Sequence, residues 1–441
     1  MRKNINKLIA FAIGISVISG GTMPAFAADT TVSSTSTSVT ATTNAAQNTG
    51  SAIYVQNQVK QNPQNPVLPL KEAIDSAINN SEKLALQAKQ IKLYEDKMDI
   101  QEELDDIDDS DDDDDDFPYD KLELLLKQSK EQKEYMKDQI AQDITNKYDS
   151  LIDKEKALNK LKRQIQIKTK LINDTGLKKS LGLVTSIDVK NAEIELEKLK
   201  NSEKTKEDQL KNNQDYFNVL TGKDLSKYSL DENQEFEVFR ITGSVDKYFD
   251  GVIDKYKKYD KKILELTKDN LKDIKDTAGD KPDSSDAPDK DSSTYYDTDA
   301  DTGAKSFNSD KYDKAVAAYK NQWNTYGGYL EQKFGYSSSV YGLNEANKGL
   351  KNGLKESYTS LLDMENSIKV MKSTMEVKNK ELANSKLKYD LGLMTKTDYN
   401  SLILDNDDLE TNLRTAINNY NTLKNQIQKP WISAGGATSA S

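Results

Sequence analysis

Between Leu181 and Asp188 the chain reads LGLVTSID, and 210 positions later, between Leu391 and Asp398, it reads LGLMTKTD. Each copy ends one helical pattern and opens another within four residues. Glycine supplies the left-handed residue that stops a helix without a Cβ clash, which assigns that task to Gly182 and Gly392. Thr185 and Thr395 stand three positions before Asp188 and Asp398, the spacing at which a hydroxyl and a carboxylate together cap a new helix. So short a connection makes the flanking helices antiparallel. Each copy is expected at the tip of a helical hairpin with arms of about 35 to 45 residues, ~50 to 70 Å at 1.5 Å per residue. Leu183 and Leu393, next after the glycines, are expected to fold back on the helix ends. One copy is explained by good turn chemistry alone; two at equivalent places point to a shared task.

The duplication extends well beyond the turns. At the same offset Tyr148 matches Tyr358, Ser150 matches Ser360, Leu151 matches Leu361, Asp153 matches Asp363 and Glu155 matches Glu365. Leu70, Ala73, Ile74, Ala77 and Ile78 form one stripe of an amphipathic helix, expected to run to about Ile100, and Val245, Tyr248, Phe249, Val252 and Ile253 repeat the spacing. Further helices are expected from near Lys121 to about Leu177, from Ser186 to about Leu220 with Gly222 as C-cap, from about Leu343 to Leu387, and from the second motif to about Ile427. Val189, Ala192, Leu196 and Leu199, matched by Tyr399, Leu402 and Leu409, form a coiled-coil seam. A period near 200 residues is too long for a solenoid unit.

Composition agrees with this arrangement. The 441 residues are 31% charged and 35% hydrophobic, with 20 Gly and 8 Pro, and the mean hydropathy is -0.80. That is too polar for one compact core and too poor in turn residues for an all-β chain. The expected fold is all-α, built of long antiparallel coiled-coil hairpins. Absence of both His and Cys removes imidazole and thiol chemistry, disulfides and every His-dependent triad. A net charge of -11 argues against nucleic acid or anionic lipid as main partner. Carboxylates on solvated helices lack the environment that splits their pKa values for hydrolytic work, so no enzyme activity, catalytic residue or cofactor is expected.

Residues 1–27 have a basic start at Arg2, Lys3 and Lys7, an apolar stretch from Leu8 to Ile18 and a small-residue cleavage site at Ala25 to Ala27, the pattern of a secretory signal peptide. The mature chain is expected outside the cytoplasm, at the cell surface, in the wall zone or extracellular, and free of a membrane-spanning helix, since no later stretch approaches ~20 apolar residues. Residues 28–66 read as a Ser/Thr/Asn-rich linker. A first helical repeat then spans 67–225 with an acidic insert at 101–120. A second spans 226–428 with an insert at 273–311, and 429–441 form a flexible tail without a readable anchor.

The inserts are expected to be disordered. Asp105 to Asp116 holds ten aspartates in twelve positions, suited to a solvated spacer or, less readily, to Ca²⁺, which takes many oxygen ligands. Asp297, Asp299 and Asp301 in DTDADTG alternate like a calcium loop, but the glycine falls one place late and no Glu closes the loop; they are weak Ca²⁺ candidates, and no other metal site is expected. Tyr319, Trp323, Tyr326, Tyr329 and Phe334 have helical spacing interrupted by Gly327 and Gly328, which fits a packing stripe or, alternatively, an envelope contact.

Three features together resemble the TolC-like outer-membrane efflux proteins: LPLKEAIDSAINNSEKL from Leu68, close to that family's opening helix; the two GLxTxxD tips; and the two-fold repeat of long helices. The match runs over roughly 67–428. It implies a homotrimeric α-barrel conduit whose tips meet the hairpin ends of an adaptor protein of an export system. Leu181, Gly182, Leu183, Thr185, Asp188, Leu391, Gly392, Leu393, Thr395 and Asp398 then carry over as docking residues. One departure is plain. The family inserts membrane-spanning β-strands where this chain has its acidic inserts, and those sequences lack the alternating apolar face a barrel strand needs. The resemblance is therefore to a barrel-less variant, of the kind suited to an organism without an outer membrane. The other reading is a cell-surface coiled-coil structural or adhesive protein without conduit activity.

Overall fold

In a computed structural model of the chain, which describes residues 65–107 and 117–434, two sets of four helices follow one another. The first comprises α1 (Leu70–Asn79), α2 (Glu82–Ile107), α3 (Phe117–Ser180) and α4 (Ser186–Thr221). The second comprises α5 (Val245–Tyr256), α6 (Lys258–Ala278), α7 (Ser309–Asp390) and α8 (Lys396–Gln428), and a short α9 (Trp431–Ala434) closes the described chain. The leader, the linker to residue 64, positions 108–116 of the aspartate run and the tail from residue 435 lie outside the described residues. The fold is all-α, with two small strand pairs: β1 (Val67–Leu68) runs parallel to β2 (Ser229–Leu230), and β3 (Tyr296–Thr298) antiparallel to β4 (Lys305–Phe307).

Burial repeats with the sequence. Ile144, Tyr148, Leu151, Leu158, Leu210 and Phe217 form the heart of one apolar cluster with Ala73 and Ala77 of α1. Leu354, Tyr358, Leu361, Ile368, Tyr420 and Ile427, each 210 positions on, form the other with Phe249 and Ile253 of α5. The long helix of each set is thus pinned at one level between its partner arm and the short first helix. Fully buried Leu361 and Ile368 each contribute roughly 1.5 to 3 kcal/mol relative to exposure.

Residues 229–241 pass as a strap between the two sets, and tyrosine hydroxyls hold it. Tyr148 donates to the Leu68 carbonyl at 2.6 Å and accepts from the Asp231 amide at 2.5 Å. Its repeat partner Tyr358 accepts from Ile241 N at 3.2 Å, and Tyr420 accepts from Phe239 N at 2.8 Å. An extended strap leaves backbone amides without neighbours in a ladder, and these rings supply acceptors from the core side.

Arg414 on α8 joins the two sets. It is buried, and it donates to Asp149 at 3.0 Å, to Asp153 at 3.1 Å, and to the Glu232 carbonyl of the strap at 2.7 Å. Further along, Trp431 stacks on Tyr135 at 4.3 Å and its ring N–H donates to Asp138 at 2.8 Å, tying the end of the second set to α3.

Three local features differ from expectation. The first helix breaks at Asn80 rather than running through to Ile100, because the Asn80 side chain donates to the Val219 carbonyl at 3.2 Å while Ser81 accepts from Leu84 N and starts α2. The helix expected from about Leu343 begins at Ser309. Asn308 caps it by accepting from Lys311 N at 3.0 Å, and Gly327 and Gly328 stay within it; two glycines cost only about 1 kcal/mol each in a helix packed against α6 over buried Tyr329. Part of the second acidic insert also carries regular structure. Asp283 and Asp299 accept from the amides two or three residues on, making tight turns, and Tyr295, Tyr296, Phe307 and Tyr312 pack edge to face across the β3–β4 hairpin.

Candidate functional site

The two motifs sit at two hairpin tips with closely similar backbones. Gly182 has φ 74° and Gly392 φ 75°. Around the first glycine, Gly182 N donates to Lys179 O at 2.9 Å and Leu183 N to Lys178 O at 2.9 Å; around the second, Gly392 N donates to Tyr389 O at 2.9 Å and Leu393 N to Lys388 O at 2.8 Å. These paired bonds are the Schellman closure, which satisfies the last carbonyls of α3 and α7. Nothing lies within 4 Å of a Cβ placed on either glycine, so the backbone angle alone demands the residue.

The following helices start at once. Thr185 Oγ1 accepts from Asp188 N at 3.2 Å, while the Asp188 carboxylate accepts from Thr185 N at 2.8 Å and from its hydroxyl at 2.7 Å, a full capping box. Those hydrogen bonds hold the Asp188 carboxyl below its ordinary range. At the second tip Asp398 N donates to Thr395 Oγ1 at 3.1 Å and the hydroxyl donates to Asp398 at 2.7 Å. Tyr389 and Tyr399 stack at 5.2 Å across the base of this tip, where the first has Lys179 and Val189.

The leucines do not fold back as expected. Leu183 is 70% and Leu393 76% exposed, and Leu181, Ile187 and Leu391 are exposed with them. The reason is local: the residue that a folded-back leucine would meet on the preceding turn is Lys178 or Lys388, and no third element covers a two-helix tip. Each turn therefore projects apolar side chains from a rigid backbone, an arrangement suited to contact with another surface rather than to chemistry.

The ten sequence-derived tip residues divide between two separate turns, five in each. The candidate calcium residues do not converge: Asp297 faces Lys311 and Asn308, while Asp299 accepts from Thr302 and Asp301 within its own turn. Among the described residues no group of three or more acidic side chains is arranged to hold a metal. Of the aromatic stripe, Tyr319 donates to the Asp283 carbonyl at 2.8 Å and meets Trp323 edge to face at 6.3 Å, so part of it packs the insert against α7. Among the described residues no helix is long and apolar enough to cross a membrane.

Sequence reasoning missed the ion pairs that set the two hairpins side by side. Arg163 on α3 meets Asp407 on α8 at 2.7 Å, Lys156 meets Glu410 at 2.7 Å, and Lys160 pairs with Asp408. Arg240 of the strap pairs with buried Glu365 on α7, which Lys369 also holds at 2.6 Å. Burial raises the Glu365 pKa, but these two cations outweigh it and leave the carboxyl below its usual range. A signal was present: arginine is rare here, at four residues among 62 Lys and Arg, and all three beyond the leader pair with carboxylates on other elements.

This duplicated pair of long antiparallel hairpins defines an all-α architecture that can be compared with solved structures. No known sequence family matches the chain, and no curated protein matches it. Among solved structures, a membrane protein from Pseudomonas aeruginosa superposes with a TM-score of 0.51 at 12% identity, covering 83% of this chain and 93% of that one. The outer membrane protein VceC from Vibrio cholerae gives a TM-score of 0.50 at 11% identity, covering 82% and 96%. The chain has a TolC-like fold.

Proposed function

We propose that this chain is an exported component of an efflux or secretion system of the cell envelope, a homotrimer whose hairpin tips dock an adaptor protein. The observation that carries the proposal is the pair of tips, each a rigid Schellman-and-cap turn with projecting leucines, on a TolC-like fold. In this reading the acidic inserts replace barrel strands, and the chain works at the surface or in the wall zone.

Unpartnered heptad stripes support assembly. On α2, Leu84 and Gln87 are buried, Gln87 donating to Ser129 of α3 at 2.8 Å, while Leu86, Leu93, Ile100 and Leu104 are exposed on another face. On α7, Gly335, Gly342 and Gly349 recur every seven residues with open space around each, beside exposed Phe334 and Tyr341. Leucine knobs and glycine holes of one period suit α2 of one protomer packing on α7 of the next, a head-to-tail contact that closes into a ring. Light scattering on the mature chain tests this. A trimer is expected; a monomer at high micromolar concentration defeats the conduit and leaves a surface coiled-coil protein.

A further inference from the structure

We infer that the docking end of the tip partner is acidic as well as apolar, so that its carboxylates meet a set of lysines gathered around the two turns. The inference rests on the docking role proposed above and names the chemistry of the partner.

The chain as a whole carries -11, yet the balance reverses near the turns. Within six residues of the turn glycines the carboxylates are already engaged: Asp188 and Asp398 cap α4 and α8 with Thr185 and Thr395, and Asp390 pairs with Lys386 at 2.9 Å; Asp174, farther back between Lys170 and Lys178, is exposed. Lys178 and Lys179 beside the first turn, and Lys388 and Lys396 beside the second, are exposed. Among the described residues none of the four forms an ion pair. Around them stand Leu181, Leu183, Ile187, Leu391 and Leu393, all exposed.

A second observation points to a missing anion. Lys170 of α3 and Lys396 of α8 come from different hairpins, and their side chains are neighbours. Contact with the Lys396 amine, and then its like charge, lower the Lys170 pKa below the ordinary lysine value. Two facing ammonium groups are unfavourable until a carboxylate joins them.

The placement of this pair favours a protein over a lipid surface. Lys170 precedes Gly182 by twelve residues, or about 18 Å of helix, whereas Lys396 follows Gly392 by only four. The pair therefore lies on the flank of the first hairpin, level with the tip of the second. A flat anionic bilayer touching Leu183 does not reach it. A helix end seated between the hairpins does.

Two designed helical-hairpin peptides provide the test. They share one leucine-bearing turn and differ only in carrying glutamates or lysines beside it; each is titrated into the full mature chain at low and at raised salt. The glutamate peptide is expected to bind at least about tenfold tighter, with the gap closing as salt rises. The fourfold variant Lys170→Gln, Lys178→Gln, Lys388→Gln, Lys396→Gln, checked for unchanged helicity, is expected to lose that preference and keep the residual affinity due to the leucines. Equal binding of both peptides, or a preference untouched by the lysine changes, overturns the inference. Binding to phosphatidylglycerol vesicles but to neither peptide overturns it in favour of a membrane. The docking role fails separately, if Gly182→Pro with Gly392→Pro leaves peptide binding as it was.

Discussion

Arg414 shows how much a single residue can carry in a lysine-rich chain. Its planar fork reaches two carboxylates on α3 and a strap carbonyl at once, which a lysine ammonium would not do with the same directionality. Arg414→Ala strands Asp149 and Asp153 in a half-buried seam and is expected to cost about 3 to 5 kcal/mol, read as a lower urea midpoint. The same seam makes stability depend on pH. Burial pushes the Asp149 carboxyl up to about 6 from its ordinary 3.8; Arg414 pulls the other way and Asp153 adds to the rise. The folded chain keeps this proton where the unfolded chain has released it. Its contribution is therefore most favourable below about 3.8 and declines as pH rises toward 6. Asp149→Asn, permanently neutral, is expected to gain on the native sequence across that window and then level off, measured by urea denaturation at each pH. A gap independent of pH would refute the shift. Tyr420→Phe tests the strap in the same assay: the Phe239 amide loses its acceptor, and about 1 to 3 kcal/mol should follow.

At the scale of elements, the tips are locally determined and globally optional. Gly392→Ala places a Cβ in open space but forces a left-handed angle of 75°, which costs an ordinary residue about 1 to 2 kcal/mol. Because the buried cluster around Leu361 and Tyr420 lies far along the hairpin, amide exchange around residues 391–399 should quicken while the urea midpoint of the whole chain stays put. A falling midpoint would mean that the tip is coupled to the core. Such turns were legible in the sequence because every interaction that makes them spans six residues or fewer. The 210-residue offset, legible in the sequence as a duplication, recurs in the buried pairs, since one packing scheme is used twice. What was not legible depended on distant partners. The break at Asn80 is made by carbonyls near residue 220, and α7 runs through Gly327 and Gly328 because packing on α6 outweighs two weak helix formers. The exposed leucines were misjudged for a different reason: the turn motif was read correctly, but the residue facing each leucine is a lysine.

On the scale of the whole molecule, the question is why so polar a chain should leave apolar stripes uncovered. Two sets of four helices bury two separate clusters, and neither cluster uses the outer face of α2 or the glycine line of α7. Isolated exposed leucines are ordinary on a protein surface, whereas Leu86, Leu93 and Ile100 at successive heptads form a seam. Gly342→Leu separates assembly from folding. Within one protomer a Cβ added at this position meets nothing within 4 Å, and replacing a helical glycine should stabilise the monomer by about 0.5 to 1 kcal/mol. In the proposed ring the same side chain would fill the hole meant for a leucine of the neighbouring α2. The expected result is a chain at least as resistant to urea as the native one that sediments as a monomer at concentrations where the native chain forms the proposed trimer. If Gly342→Leu still assembles, the ring closes through some other face, and the exposed leucines of α2 must be met by something other than α7.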